Sequence, residues 1–449
     1  MTRRSCCDEF SRRAVAGAGV RAIEQGMPEP AGTGLTRRVF VARSLGLALT
    51  VYGAGRLSLF EDGIAHAAAA TGGGRILVSV FLPGGADGMS VLYPEGDPLY
   101  KKLRPTLALS GGEPFTEDRR LSWHPALSPI AQLHGEGKVS VLPAIGYDHP
   151  DQSHFTSRHY WEVGATDADL RTGWLGRYLD EIGTADNPLQ GLSITGQLEP
   201  SLATTRVPVA AISGPDQYTF SVPNVWGPVS DRMLDAVGDF GGISTSDPAM
   251  RDAADVSLQS DRLRRQLLPF ADKTKLVSPV AYPKTSDSFP ARLAGLAAMI
   301  GAGLPMRAVA LEASGQYDTH SDQTSSLATA LDLTGQSLLA FQRDLEARRV
   351  ADRVLTIVWS EFGRRAQENS TGTDHGAAGT AFVIGTKAAG KMIGEFPGLA
   401  KGLDADGNLK PTADFRGVYV SLLEQWLGFD AARVIPEAGK FARPRLLRL

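Results

Sequence analysis

The chain has 449 residues, 43% of them hydrophobic and 21% charged, with a formal net charge of -3. That balance excludes a disordered or fibrous chain, and the lack of a Lys/Arg-rich aromatic face argues against a nucleic-acid partner. The length allows about three average domains, or one α/β catalytic domain carrying a large insertion, and the pattern along the chain favours the second.

The N-terminus reads as a targeting segment. Thr36-Arg37-Arg38-Val39-Phe40-Val41 is a twin-arginine core, followed by a modest apolar stretch over 45–59 and by Ala65-His66-Ala67, with further alanines to Ala70, as an A-x-A-like cleavage site. Gly46, Gly53, Gly55 and Arg56 interrupt the apolar stretch, so no stable membrane span is expected. Thirty-five residues precede Thr36, and Met27 is an alternative start. The expected leader is 1–70, cleaved near Ala67 to Ala70, giving an exported protein (periplasmic, extracellular or cell-surface) whose partner in transit is the twin-arginine translocase. Substrates of that route cross already folded, which is how many secure a metal in the cytoplasm. Both cysteines, Cys6 and Cys7, precede the leader's core. The mature chain, 71–449, therefore has neither disulfides, thiolate metal sites nor a Cys nucleophile, and carries 37 basic against 43 acidic residues.

From Gly74 onward, apolar β-rich runs alternate with amphipathic stretches. Residues 75–82 (RILVSVFL) read as a buried strand, 125–133 as a helix, 138–144 (KVSVLPA) as a second strand and 153–163 as a helix. Further on come strand 307–312 (RAVALE), a long helix over 323–349 with Leu327, Leu331, Leu338, Phe341 and Leu345 near one face, strand 353–359 (RVLTIVW) and strand 381–384. This order predicts an α/β fold with a doubly wound, mainly parallel sheet covered by helices on both faces. The middle, 197–282, is rich in Pro, Gly, Ser and Asp, with one charged helical stretch at 256–268. It reads as an inserted cap over the strand ends rather than more sheet.

Polar residues gather just outside the predicted strands, where open α/β sheets collect ligands. Asp87 follows the first strand through Pro83-Gly84-Gly85-Ala86, either a carboxylate ligand or a turn residue; Gly84-Gly85-Ala86-Asp87-Gly88 is not a dinucleotide fingerprint. Ser153 opens a helix, where its hydroxyl can cap or can serve as a nucleophile at the positive end of the dipole. Tyr317-Asp318-Thr319-His320 and Gly372-Thr373-Asp374-His375-Gly376 each set a carboxylate beside an imidazole, the donor mixture of borderline divalent ions such as zinc, manganese or iron. Glu361, directly after a buried strand, needs a cation or a hydrogen-bond donor. Arg364 and Arg365 can neutralise it or clamp an anionic substrate.

The segments Phe81-Leu82-Pro83-Gly84-Gly85-Ala86-Asp87-Gly88, Ser153-His154-Phe155, Thr172-Gly173-Trp174-Leu175-Gly176-Arg177, Asp318-Thr319-His320, Ser360-Glu361-Phe362-Gly363-Arg364 and Gly372-Thr373-Asp374-His375-Gly376 together resemble the domain-of-unknown-function 1501 family over residues 75–428. That family is similar to the alkaline phosphatase superfamily of metal-dependent phosphatases and sulfatases. The resemblance implies an alkaline-phosphatase-like fold, with Asp87, Asp318, His320, Glu361, Asp374 and His375 as metal residues and Asp374 as a ligand or supporting partner. It implies Ser153 as nucleophile, with His154 and Arg364 in the catalytic set.

The implied cofactor is a divalent metal ion, with zinc, manganese, iron, calcium and magnesium undistinguished. The implied substrate is a small anionic ester or a polysaccharide-linked one, attacked as a phosphate or sulfate ester. Two departures stand out: Phe362 occupies the place of a His, and one residue separates Asp318 from His320. The formylglycine sulfatase signature and G-x-S-x-G are both missing. A non-catalytic exported metal-binding or cell-surface protein that keeps the fold is the alternative expectation.

Overall fold

The computed structural model describes residues 51–52, 74–216 and 225–448. The twin-arginine core and the cleavage segment lie outside the described residues. No helix among those described is long and apolar enough to cross a membrane.

Seven strands form the body of the central sheet: β1 (Ile76–Phe81), β2 (Val139–Gly146), β3 (Gly191–Ser193), β4 (Val209–Ala211), β5 (Ala308–Glu312), β6 (Val354–Trp359) and β7 (Gly379–Ile384). Their order across the sheet is β4-β3-β5-β1-β6-β7-β2, with Val51–Tyr52 added antiparallel at the β4 edge and Ala413–Asp414 parallel at the β2 edge, nine strands in all. Strand β1 is central and pairs in parallel with both β5 and β6, which is why all six of its residues are buried.

The period-2 alternation sorts its side chains cleanly. Ile76, Val78 and Val80 enter one core with α1 (Ser128–Gly135), α6 (Phe289–Gly301) and α7 (Gln323–Ala347). Leu77 and Phe81 enter the other with α2 (His154–Val163), α3 (Trp174–Ile182) and α8 (Phe415–Ser421). Helices therefore cover both faces, as the alternation of elements predicts. On α7, Leu327, Leu331, Leu338, Phe341 and Leu345 are all buried, so its apolar stripe is its contact with the sheet.

One expectation is refined and one is corrected. Strand β7 runs antiparallel to both of its neighbours, β6 and β2. A fully buried apolar run carries no mark of direction, since either orientation satisfies its backbone and buries the same side chains. The region 197–282 was expected to hold no sheet, yet β4 lies in it and pairs in parallel with β3. The rest of that region holds a helical pair, α4 (Pro228–Phe240) and α5 (Pro248–Leu267). On α5, Gln259 donates to the Ala185 carbonyl in the segment leading into β3, so this contact lies at the N-terminal edge of the parallel strands.

Replacing Leu331 by Ala empties a fully enclosed site and should lower unfolding free energy by about 2–5 kcal/mol, whereas Thr324→Ala on the exposed side of the same helix should stay within about 0.5 kcal/mol. Urea denaturation of both variants measures the contrast.

Candidate metal centre

The parallel strands β1, β5 and β6 end on one edge of the sheet, and the loops leaving them carry Gly84 and Gly85, Asp318, and Glu361. The antiparallel direction of β7 brings its N-terminal end to that same edge, so His375, four residues ahead of the strand, arrives beside residues that follow the others. Helix α2, after β2, delivers His154 as its first residue.

Among the described residues, His154, Asp318 and His375 form a group whose ligand atoms all lie within 4.8 Å of one another. The His154 Nε2 is 3.6 Å from Asp318 Oδ2, and the His375 Nε2 is 3.5 Å from Asp318 Oδ1. The His320 Nε2 joins them, 3.3 Å from Asp318 Oδ1 and 3.0 Å from the His375 Nε2. Bonds of ~2.0–2.1 Å to one tetrahedral ion put its ligand atoms roughly 3.3–3.4 Å apart, a spacing that the contacts of the three imidazoles with the two Asp318 oxygens approach.

The ring orientations agree with that geometry. His154 Nδ1 contacts Glu361 Oε1 at 2.7 Å, and His375 Nδ1 contacts the Gln152 carbonyl at 2.7 Å. His320 Nδ1 faces Asp374 Oδ1 at 3.4 Å. In each case an acceptor on Nδ1 holds the ring with Nε2 turned into the cluster, the usual support of a metal-bound imidazole. Phe362 packs against the rings of His154 and His375, centroids 4.9 and 4.7 Å away. At this position the chain supplies an apolar wall instead of another imidazole.

The electrostatics are those of opposed charges buried together. Burial alone would push the His154 imidazolium to lose its proton, but hydrogen bonds and charge from Asp318 and Glu361 prevail and raise its pKa to about 9. Burial would raise the Asp318 carboxyl, but hydrogen bonds from His154 and His375 and the Arg364 charge hold it well below the usual carboxylate range. Burial and the Arg364 charge push His320 below its ordinary value.

The remaining expected residues take other places. Asp87 is fully buried and held by Arg104 through two contacts of 2.5 and 3.0 Å, while Ser90 and Gln323 donate to it and it caps the single turn Gly88–Val91. Burial is outweighed by Arg104, so its carboxyl sits below the ordinary value, ionised and spent on internal partners. It is not a ligand of the cluster.

Glu361 stands one step behind the cluster. Its oxygens accept from the Gly84 and Gly85 N–H groups at 3.0 Å each and from the Ser360 hydroxyl at 2.9 Å, as well as facing His154. Asp374, half exposed, accepts from Asn369 Nδ2 at 2.7 Å and orients His320 from outside. Arg364 does not face solvent as an anion clamp. Its buried guanidinium donates to the Gly85, Gly84, Thr373 and Tyr317 carbonyls and pairs with Asp318 at 2.6 Å, making it a positioning residue. Ser153 caps α2, accepting from Thr156 N at 3.5 Å, while its own N–H donates to Asp151.

The sequence reading had no signal for Arg104, the Gln152 carbonyl or Gln323. Gln323 Oε1 accepts from Thr319 and Thr373, and its Nε2 donates to Asp87. His154, expected in the catalytic set, falls instead within the cluster, where an imidazole at a helix start beside the strand ends meets the same positional rule as the others.

Truncating Arg104 to Ala leaves the Asp87 carboxylate buried and unpaired and should cost about 3–5 kcal/mol in denaturant unfolding, a loss that Arg104→Met combined with Asp87→Asn should largely recover. In chelator-treated protein, the raised pKa of His154 makes its contribution to stability fully present below its unfolded value of 6.5, and lost as pH rises through about 9. Melting temperatures across that window should therefore fall more steeply for the native sequence than for His154→Gln.

Among solved structures, a protein in the alkaline phosphatase superfamily from Vibrio parahaemolyticus aligns at 9% identity and a TM-score of 0.36, covering 90% of this chain and 78% of that one. The lipoteichoic acid synthase LtaP from Listeria monocytogenes aligns at 8% identity and a TM-score of 0.32, over 85% and 78% of the two chains. The phosphonate monoester hydrolase SpPMH from Silicibacter pomeroyi aligns at 12% and 0.30, over 82% and 75%. No curated protein matches the chain. A family model does match, over residues 142–438, a span that holds His154, Asp318, His320, Glu361, Arg364 and His375. The chain belongs to the DUF1501 family, proteins of unknown function.

Proposed function

We propose that this protein is an exported, metal-dependent hydrolase of phosphate or sulfate esters. The observation that carries the reading is the convergence of three imidazole Nε2 atoms on the Asp318 carboxylate, each with its Nδ1 against an acceptor. His154, Asp318, His320 and His375 would hold the ion, a donor set that suits zinc and also manganese or iron. A bound divalent ion supplies Lewis-acid polarisation of the ester and a lowered pKa for the attacking oxygen. Export rests on the twin-arginine pattern at 36–41.

The chain's own groups divide the remaining work. Glu361 and Gln152 hold two imidazoles in register, and Arg364 fixes Asp318 while neutralising its charge. Ser153 lies between Gln152 and His154, the residues that support and form the cluster, at the N-terminus of a ten-residue helix. Its Oγ is the proposed nucleophile: it bonds to phosphorus or sulfur, the alcohol departs with a proton, and water then cleaves the Ser153 ester and restores the hydroxyl.

A second reading, a metal-binding protein without turnover, is favoured by one specific feature. The Arg364 donors are consumed by carbonyls and Asp318, so this guanidinium gives no charge to a substrate oxyanion.

Metal analysis of the mature chain should find a divalent ion that is lost in His375→Ala and Asp318→Asn. Native protein should hydrolyse 4-nitrophenyl phosphate or sulfate, with turnover abolished by chelator and reduced on the order of a hundredfold or more in Ser153→Ala. A full complement of metal with no turnover on either ester would establish the second reading. An active Ser153→Ala would assign attack to water.

A further inference from the structure

A cavity of about 750 Å³ lies within the ~300–1,000 Å³ range of small-molecule sites. Three of its lining residues are chain neighbours or hydrogen-bond partners of residues that form or hold the cluster. Gln152 lines it, and the Gln152 carbonyl holds His375 Nδ1. Ala377 lies two residues beyond His375, and Arg365 follows the Arg364 that grips Asp318. The cavity and the cluster thus share the segments at 152–154, 364–365 and 375–377.

The lining differs from that of a typical apolar ligand pocket. Asp148, Asp151, Asp404 and Asp406 stand there with Arg365 and Lys410, two more carboxylates than cations. Some of these groups build the wall. Asp404 accepts from the N–H groups of Asp406 and Asn408 and from the Asn408 amide, whose oxygen in turn accepts from Gln152 Nε2 at 3.2 Å. Asp151 accepts from Ser153 N at 2.7 Å. The buried Nε of Arg365 has no hydrogen-bond partner, so this guanidinium is not consumed as that of Arg364 is.

The cavity therefore sets carboxylate acceptors beside cationic donors on a wall braced by amides. A hydroxyl both donates and accepts, and a ring of hydroxyls satisfies such a surface where a hydrocarbon or a polyanion does not. The excess of carboxylate repels a second phosphate or a nucleotide and tolerates a neutral or amine-bearing ring.

We propose that this cavity recognises the alcohol portion of the ester and that this portion is a saccharide, neutral or amino-substituted. The proposal rests on the hydrolase reading for its role in turnover, whereas binding of the free sugar requires no turnover and so tests it separately. Saturation-transfer NMR on the full mature chain, with methyl glucoside, methyl galactoside, methyl mannoside and glucosamine as probes and adenosine 5′-monophosphate as the anionic comparison, reads occupancy directly.

At least one sugar should show transfer that the nucleotide lacks. Asp406→Ala, Lys410→Ala and Arg365→Gln should each weaken it by about tenfold, the loss of one charge-assisted hydrogen bond. Asp406 and Lys410 are exposed at the rim, so two of the three variants alter no buried packing. No transfer from any sugar, transfer unchanged in the variants, or equal transfer from the nucleotide would overturn the assignment. If aryl esters are hydrolysed, the ratio of kcat/KM for hexosamine 6-phosphate to that for 4-nitrophenyl phosphate should fall in the same variants. Failure of all turnover with retained sugar binding would sink the hydrolase reading and leave the cavity assignment intact.

Discussion

The site depends on a buried guanidinium. Arg364 is enclosed on all sides and ties together segments far apart in sequence: the Gly84 and Gly85 turn after β1, Tyr317 and Asp318 after β5, and Thr373 ahead of β7. Three residues earlier, Glu361 holds the opposite polarity of the same turn, accepting the Gly84 and Gly85 N–H groups while Arg364 receives their carbonyls. One loop after β6 therefore clamps the neighbouring turn through both its donors and its acceptors. Both glycines have positive φ, and a Cβ on Gly85 would strike the Phe362 ring at 2.2 Å, so the turn admits no ordinary side chain.

This clamp also sets the electrostatics. A buried cation is costly unless paired and hydrogen-bonded, and Arg364 meets both conditions through carbonyls and Asp318. The Asp318 carboxylate is in turn kept ionised and aimed at the imidazoles. A second buried pair, Arg104 with Asp87, lies behind the first, and Gln323 links Asp87 to Thr319 and Thr373, residues adjacent to Asp318 and Asp374. The imidazoles are thus backed by two layers of polar contacts.

Much of this was legible along the chain. Strands β1, β5 and β6 and the long helix α7 fall within about two residues of their predicted limits, because buried β-rich runs and an apolar stripe at helical spacing leave strong marks. Asp318, His320 and His375 were visible because chemistry concentrates where strands end. Asp87 and Arg364 were also visible, but their tasks were not. A carboxylate after a glycine turn looks alike whether it meets an ion or an arginine, and the arginine it meets, Arg104, is seventeen residues away.

The sequence by itself determined the alternation of strands and helices, the edge of the sheet on which ligands would collect, and the residue types available there, since these follow from local periodicity and side-chain chemistry. Only the tertiary structure decided the direction of β7, which brings His375 to the same edge as Asp318, and the division between residues that form the cluster and residues that hold it. The physical reason is that a buried charge is defined by its partner, and partners here come from loops up to 280 residues apart, a separation that no local pattern encodes.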